Sequence, residues 1–502
     1  MPDQFLHGVQ VIEVTDGARP IRTVESSVVG LIGTAPDSEG AIAASLSIGS
    51  AAGNNGVTLS AASAGILGND ISVRIVNPGT NSASLTVSVS AKAILISLAT
   101  SSAGAVATTA AQLLTALAAS VPASLLVTGS AVSGSSGAGL VSPQATVFLS
   151  GGKDEAFPLN TPVLVAADRA LAARAGTTGS LPAAFDGLFD QAGAVIVVIR
   201  VAQANGSDTD AATISNVIGT VAQNGDFLGM QALLGAESRL GVVPRILIAP
   251  GFTQVQGILT NLVSIANRLR ATILADGPNT TDAAAQSYAQ NFGSDRIMLI
   301  DPGVKVTGSD GGEAYEWTSP RAAGLLVKSD NERGFWWSPS NQEILGIVGT
   351  KRPIDFVLGD PASRANILNS QNITTVIRQN GFRLWGNRTL SADPKFAFLS
   401  VRRTADMIND SILRAHLWAV DRNITKTYLS DVTEGVNAYL RGLVALGAIL
   451  GGTCWPDPDL NSPSNISQGK VYFNFDFTPP YPAEHVTFQS ILTNGYLADL
   501  IS

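Results

Sequence analysis

Cysteine occurs once in the 502-residue chain, at Cys454, which excludes an intrachain disulfide and a cysteine-based zinc site and fits folding in a reducing compartment. Histidine is almost as scarce. His7, His416 and His485 are scattered along the chain, so no H-E-x-x-H zinc helix exists. Charge is sparse at 14% of residues, and the net balance of −8 argues against a nucleic-acid binder, which needs a dense basic surface to displace phosphate counterions. Long apolar runs are missing as well. The best membrane candidate, residues 442–452 with Arg441 at its edge, falls well short of the ~20 residues a span requires, so no membrane insertion is expected. The opening Met1-Pro2-Asp3-Gln4 has neither the basic nor the apolar region of a secretory signal.

The motifs of common enzyme classes are absent too. No G-x-G-x-x-G opens a helix, no G-x-x-x-x-G-K-[ST] cradles a phosphate, Gly30-Leu-Ile-Gly33 lacks the spacing for either, and no G-x-S-x-G elbow occurs. Asp406 and Asp410 share a helix face at i,i+4 and have the spacing of an acid and base pair. Arg402 and Arg414 bracket them at the same spacing, however, and an exposed ion-pair ladder worth ~0.2–0.5 kcal/mol per pair accounts for all four. Asp310-Gly-Gly-Glu313 reads as a surface turn, having too few oxygen ligands for a calcium loop. No catalytic, cofactor or metal site is expected.

What is present is organisation. A chain of 502 residues exceeds one core and predicts three or four domains. From Gly40 to Ser150 the only charged residues are Asp70, Arg74 and Lys92 and the only aromatic is Phe148. Period-two alternation over 70–76, 85–90 and 93–98 predicts strands there. Thr109-Ala-Ala-Gln112 has the form of a capping box ahead of a helical stripe of Leu113, Leu114, Leu117 and Val121, and residues 129–139 read as a loop. Residues 37–151 are therefore expected to form a small, β-rich α+β insertion domain in a peripheral position; the Ser, Thr and Ala richness also permits a flexible decoration.

Residues 152–330 alternate short apolar runs with helical stretches, the pattern of an αβα sandwich. Strands are predicted at 162–165, 194–200, 245–249, 271–275 and 296–300, with Ile258, Leu262, Ile265, Ala266 and Leu269 on one helical face. Residues 331–502, which hold all but one of the six tryptophans, read as a separate α+β domain. In it Asp393 and Pro394 open a helix running to about 421, and a second helix spans 434–450 and is capped by Gly451-Gly452. A strand over 470–478 follows, with Val471, Phe473, Phe475 and Phe477 on one face.

Several stretches of the chain resemble the contractile tail sheath proteins of phages such as P2 and of R-type bacteriocins. They are Arg333-Gly-Phe-Trp-Trp-Ser-Pro-Ser-Asn341, Arg352-Pro-Ile-Asp-Phe356, Gly381-Phe-Arg-Leu-Trp-Gly-Asn-Arg-Thr389, Phe398-Leu-Ser-Val-Arg-Arg-Thr404 and Gly469-Lys-Val-Tyr-Phe473. Upstream, Phe5-Leu-His-Gly-Val9, Ser27-Val-Val-Gly-Leu-Ile-Gly-Thr-Ala-Pro36 and Arg245-Ile-Leu-Ile-Ala-Pro-Gly251 are similar to sheath segments. The resemblance covers roughly 1–36 and 152–502, with 1–36 as an N-terminal arm and the start of the core. It implies a subunit stacked in six-membered rings around a tail tube protein, attached to baseplate and tail terminator proteins, and contracting without a cofactor. Assembly in the bacterial cytoplasm and a place in the virion tail go with it.

Related sheaths exchange terminal strands, and the C-terminal domain is expected to be completed by such strands. The residues expected to take part in strand exchange are Val9, Val11 and Val14 at one end, Val486, Phe488, Tyr496 and Leu500 at the other, and Val471, Phe473 and Phe475 of the predicted strand. Pairing of both termini within their own domain is the alternative. Residues 378–441 carry ten basic and six acidic groups against four and seven in 1–150, so a basic face of the C-terminal domain, including Arg402 or Arg403, is expected to meet an acidic tube. A receptor-binding or decorating virion protein, suggested by the Ser/Gly/Thr-rich insert, is the competing structural function; an enzyme built on the αβα domain is the other.

Overall fold

The computed structural model describes residues 20–494, apart from 309, together with 496 and 497. The chain forms two compact units, one built from residues 37–158 and 173–177 and the other from the rest of the described chain.

The larger unit is organised by an eight-stranded sheet in the order Phe382–Trp385, Ile373–Arg378, Ile297–Ile300, Thr272–Asp276, Ile246–Ile248, Val28–Thr34, Val195–Val201, Val163–Ala166. Its inner strands are parallel and both outer strands antiparallel. Both faces are covered, which is why Val28–Thr34 is buried along its whole length and Ile246, Leu247 and Ile248 are all sealed. On one face lies the helix Gln256–Leu269, whose Ile258, Leu262, Ile265 and Ala266 pack on Leu247, Ile273 and Ile297. The other carries Leu181–Phe189 and Ser319–Arg333. Those two helices approach so closely that a Cβ on Gly324 would meet the Leu188 carbonyl oxygen at 2.5 Å.

The five strands expected in this sheet occur within two residues of their predicted positions. Two contributions lie outside the predicted domain of 152–330. Val28–Thr34 sits centrally, hydrogen-bonded to Val195–Val201 and Ile246–Ile248, and the pair Ile373–Arg378 and Phe382–Trp385 closes one end. A division at 330/331 therefore cuts through one sheet.

The smaller unit packs a three-stranded sheet (Ser45–Ile48, Val57–Ala61, Val127–Ala131) and a four-stranded one (Thr86–Ser90, Ala93–Ser97, Ser72–Val76, Gln144–Phe148) with the helix Ala110–Ala119. Leu59, Val73, Ile75, Ile94, Ile96, Leu113 and Leu117 fill its core. The capping box is formed: Gln112 N donates to Thr109 Oγ1 at 3.3 Å and Thr109 N to Gln112 Oε1 at 2.9 Å. Val121 leaves the stripe, because the helix ends at Ala119 and Val121 starts a separate short turn with its side chain exposed. The start of the expected 129–139 loop belongs to the strand Val127–Ala131. The unit runs past 151 and recruits 173–177, where Thr177 donates N–H and hydroxyl bonds, both 2.9 Å, to Asp37 and Arg174 pairs with Glu39.

In the C-terminal region Asp393 caps a short 3-10 turn, Pro394–Phe396, accepting from Lys395 N at 2.9 Å. The α-helix begins only at Leu399 and ends at Ala415, short of the expected 421. The second helix, Lys426–Ala445, starts a full two turns before the predicted position, on a Thr425 cap. It ends at Gly447, whose φ of 75° lets Ala448 N reach the Leu443 carbonyl at 2.9 Å. Gly451 and Gly452 are not its cap; they open the strand Gly451–Pro456.

Candidate assembly surfaces and a buried charge network

Gly451–Pro456 pairs antiparallel with Phe473–Thr478, and among the described residues neither strand has another partner. Alternation turns Phe473, Phe475 and Phe477 toward the cluster formed by Met407, Ile408, Val436, Leu440 and Leu443. Asn474 and Asp476 point away and brace the hairpin, Asp476 accepting from Thr453 N at 2.8 Å and Asn474 donating to Asp457 at 2.7 Å. Among the described residues only one face of this sheet is covered and neither outer flank is paired. Beside it runs a groove of about 310 Å³ lined by Ile412, Val420, Tyr428, Val432, Val471 and Phe473. Cys454 is buried against the same core, and burial pushes its thiol up to about 11, which makes it inert at neutral pH.

Past Thr478 the chain forms no strand or helix up to 494. Two side chains hold its first part: Tyr481 meets Phe398 edge-on at 6.1 Å, and Glu484 pairs with Arg388 at 2.7 Å. Beyond Glu484 the apolar side chains are uncovered, with Val486 at 62%, Phe488 at 92%, Leu492 at 98% and Tyr496 at 77% exposure. Of the residues expected to take part in strand exchange, Val471, Phe473 and Phe475 thus stand at the hairpin and its groove, and Val486, Phe488 and Tyr496 on the uncovered tail. Val9, Val11, Val14 and Leu500 lie outside the described residues.

Arg402 and Arg403 are not on a surface. They are 9% and 2% exposed, and each is consumed by carboxylates of this same chain. Arg403 grips Asp330 through both Nη atoms at 2.7 and 2.5 Å and reaches the Ser26 carbonyl at 3.2 Å. Arg402 donates to Asp406 at 3.0 Å and to Asp295 at 3.1 Å, with its guanidinium 4.3 Å over the Phe396 ring. Their assignment to tube contact is corrected on that ground.

The predicted ladder forms, but Arg402, Asp406 and Asp410 are buried and Arg414 alone of the four reaches the surface. Asp406 also takes Arg296 at 2.7 Å, and Asp410 takes Arg414 at 2.7 Å and the buried Arg245. Arg414 continues to Glu237 at 2.5 Å, and that bond holds its guanidinium above the ordinary value. Burial pulls Arg245 down while Asp410 opposes it. Arg245 and Arg296 each stand immediately before a strand of the large sheet, so the helix Leu399–Ala415 is fastened across the sheet's N-terminal ends. Spacing of i,i+4 reveals a shared helix face but not what covers it, and the covering arginines come from more than a hundred residues upstream.

Asp310 sits in a turn, Gly312 N donating to it at 2.9 Å, while Glu313 opens a strand and pairs with Lys305 at 2.9 Å; no carboxylate or histidine cluster that could hold a metal occurs among the described residues. Nor does any described helix have the length and apolarity to cross a membrane.

Residues 225–390 match a family model described as the phage tail sheath protein central domain, and 391–493 the phage tail sheath C-terminal domain. Residues 145–201 match the domain III N-terminal region of the tail sheath protein Gp18. A putative prophage major tail sheath protein of Pseudomonas aeruginosa (strain UCBPP-PA14) is 47% identical over 356 residues, 71% of this chain and 91% of the relative. The tail sheath protein of Escherichia phage P2 is 38% identical over 69% of this chain and 89% of its own length. Among solved structures, the anti-feeding prophage baseplate in the contracted state gives a TM-score of 0.54 at 19% identity, covering 71% of this chain and 98% of that one. The contracted PVC sheath complex of an extracellular contractile injection system gives 0.52 at 16% identity, covering 68% and 88%. At such identities the likeness is one of fold.

Proposed function

Because the chain belongs to the phage tail sheath family and is a structural protein of a contractile tail, we propose that it stacks as six-membered rings around a tail tube and contracts to drive that tube through the cell envelope. Its partners are then its own copies, the tube protein, and the baseplate and tail terminator at the ends, with assembly in the host cytoplasm and residence in the virion tail.

The observation that carries this reading is the pairing of an open-flanked hairpin with an uncovered apolar tail. Unpaired strand edges are templates for another strand, and an added strand gains main-chain hydrogen bonds that survive changes in the surrounding side-chain contacts. A tail strand carrying Val486 and Phe488 from one copy, laid beside Phe473–Thr478 or Gly451–Pro456 of another, supplies the missing flank. The segment with Val9, Val11 and Val14 is proposed to do the same at the other terminus. Such joints keep a lattice connected while its subunits move.

With Arg402 and Arg403 consumed internally, the exposed cations of this region, among them Arg378, Lys395, Arg422, Lys426 and Arg441, are the ones proposed to face an acidic tube. Weak, screened contacts suit an interface that must release along its length. Contraction needs no nucleotide if the extended lattice is metastable and each subunit gains a modest free energy on moving.

Negative-stain electron microscopy of the purified protein, with and without its tube protein, tests the reading. Hollow, helically striated cylinders are expected. Monomers or small closed oligomers under both conditions would overturn it.

A further inference from the structure

The sheath reading gives no role to the unit formed by residues 37–158 and 173–177. Its four-stranded sheet ends on Thr86–Ser90 at one side and Gln144–Phe148 at the other, and among the described residues neither has a backbone partner on its outer flank. Neither strand contains a charge or a proline. Lys92, at the hairpin end, is tied to Asp70 at 2.9 Å, and the exposed Arg74 stands on the inner strand Ser72–Val76 and not on an edge.

Open sheet edges are ordinarily protected by charge, proline or a covering segment. This chain protects edges elsewhere. Glu313–Glu316 ends its small sheet with a glutamate at each end, and Phe382–Trp385 is covered by 341–344 through Ile344 N to Phe382 O at 2.8 Å and Leu384 N to Gln342 O at 3.0 Å. In the inserted unit, by contrast, neither edge strand is charged; the outer face shows Thr86, Ser88 and Ser90 at one edge and the exposed Arg74 opposite Leu95 in the middle, and it turns apolar toward the other edge. Phe148, 58% exposed, lies opposite Ser72, which lies opposite Ala93, so Phe148 and Leu95 share the face turned away from Val73 and Ile94. A bulge among the partners of Val73 and Ile75 leaves Val147 and Phe148 in register.

Direction completes the argument. Thr86–Ser90 is antiparallel to Ala93–Ser97, which is parallel to Ser72–Val76, which is antiparallel to Gln144–Phe148, so the two outer strands run the same way. A copy displaced along the sheet therefore brings one edge beside the other, a head-to-tail contact that repeats without closing, as a helical array demands. We propose that neighbouring copies join through these edges, Gln144–Phe148 of one pairing in parallel with Thr86–Ser90 of the next, so that the inserted units form a β ribbon of their own along the polymer. The inference rests on the sheath reading.

Cysteine pairs test it in the full-length chain, where the native Cys454 is buried. Ser88→Cys and Thr146→Cys are introduced singly and together, cylinders are scored by electron microscopy, and a short bis-maleimide is applied before a denaturing gel. A ladder extending past the dimer from the double variant, with single variants remaining monomeric, is the expected result. Cylinders that yield only monomers, or dimers from Ser88→Cys alone, overturn the edge pairing and leave the sheath standing; failure of the unaltered chain to form cylinders overturns both. In a second arm Ser88→Lys puts a charge on the edge and is expected to lower the urea concentration at which cylinders dissociate. An unchanged dissociation midpoint counts against the pairing.

Discussion

Arg403 and Asp330 form a two-pronged ion pair, Nη1 to Oδ1 at 2.7 Å and Nη2 to Oδ2 at 2.5 Å, with both side chains almost wholly removed from water. Asp330 belongs to the helix Ser319–Arg333 that lies on the large sheet, and Arg403 to the helix Leu399–Ala415 of the region matched as the C-terminal sheath domain. Ser26 and Ser27 add hydroxyl donors to the same carboxylate at 3.1 and 3.2 Å.

Removing one partner strands the other's charge in a dry site. Arg403→Met is expected to cost about 3–5 kcal/mol of unfolding free energy. Replacing both residues with apolar ones of similar volume should recover most of that loss. Urea denaturation of the unpolymerised protein checks this, and a double replacement as damaging as the single would show that the pair is worth more than its burial costs.

Asp276, at the end of strand Thr272–Asp276, caps the helix Ser319–Arg333 from outside, accepting from Ser319 N at 2.8 Å and from its hydroxyl at 2.5 Å. Burial raises its carboxyl from 3.8 to about 7, with the nearby Asp301 adding to the rise. The folded chain thus keeps a proton the unfolded chain has lost, so this group's contribution is full below about pH 4 and declines as pH climbs toward 7. Asp276→Asn should remove that decline. The difference in melting temperature between variant and parent, followed from pH 4 to 7, is expected to shift in the variant's favour as pH rises.

Gly324 sits where two helices touch, and a methyl there has 2.5 Å to the Leu188 carbonyl and 2.9 Å to Gln191 Cβ. Gly324→Ala should destabilise by about 1–3 kcal/mol through overpacking, despite the better helix propensity of alanine. Gly257, on the helix of the opposite face, has nothing within 4 Å, so Gly257→Ala is expected to be neutral or stabilising in the same melt.

Truncation after Glu484 removes the uncovered tail while leaving its Arg388 anchor and the hairpin in place. The monomer's melting temperature should hold, because Phe488, Ile491 and Leu492 are almost wholly exposed among the described residues. Cylinders should disappear. Cylinders of unaltered yield would assign the tail no part in assembly.

Much of the fold was legible because its strands are apolar on both faces: Val195–Val201 and Ile297–Ile300 announce a covered sheet by composition alone. Val28–Thr34 is equally apolar, but a central place in the sheet is a matter of long-range pairing, and no local signal says that it slots between strands from residues 195 and 246. The candidate site divides in the same way. Alternation at Phe473, Phe475 and Phe477 marked the strand's inward face, whereas the tail with Val486 and Phe488 read only as an extended segment, which does not say whether its own chain covers it. Arg402 and Arg403 were misread because local charge counting does not see Asp295 or Asp330, and the groove beside Val471 depends on where the helix Leu399–Ala415 stops and Lys426–Ala445 starts, boundaries that the sequence reading placed near 421 and 434.

The central strand Val28–Thr34 has a consequence for biosynthesis. It emerges from the ribosome long before Val195–Val201 and Ile246–Ile248, so the sheet cannot nucleate from its middle outward as the chain is made. Between those events the whole 37–158 unit is translated, with its own core and short-range strand pairs, and it is free to fold first. An apolar ribbon must meanwhile wait for partners more than 160 residues away, a topology that slows folding. The hairpin Gly451–Pro456 with Phe473–Thr478 is made last of all. Under the proposed strand exchange, copies would therefore become competent to accept a neighbour's strand only at the close of translation, which would set a delay between synthesis and polymerisation.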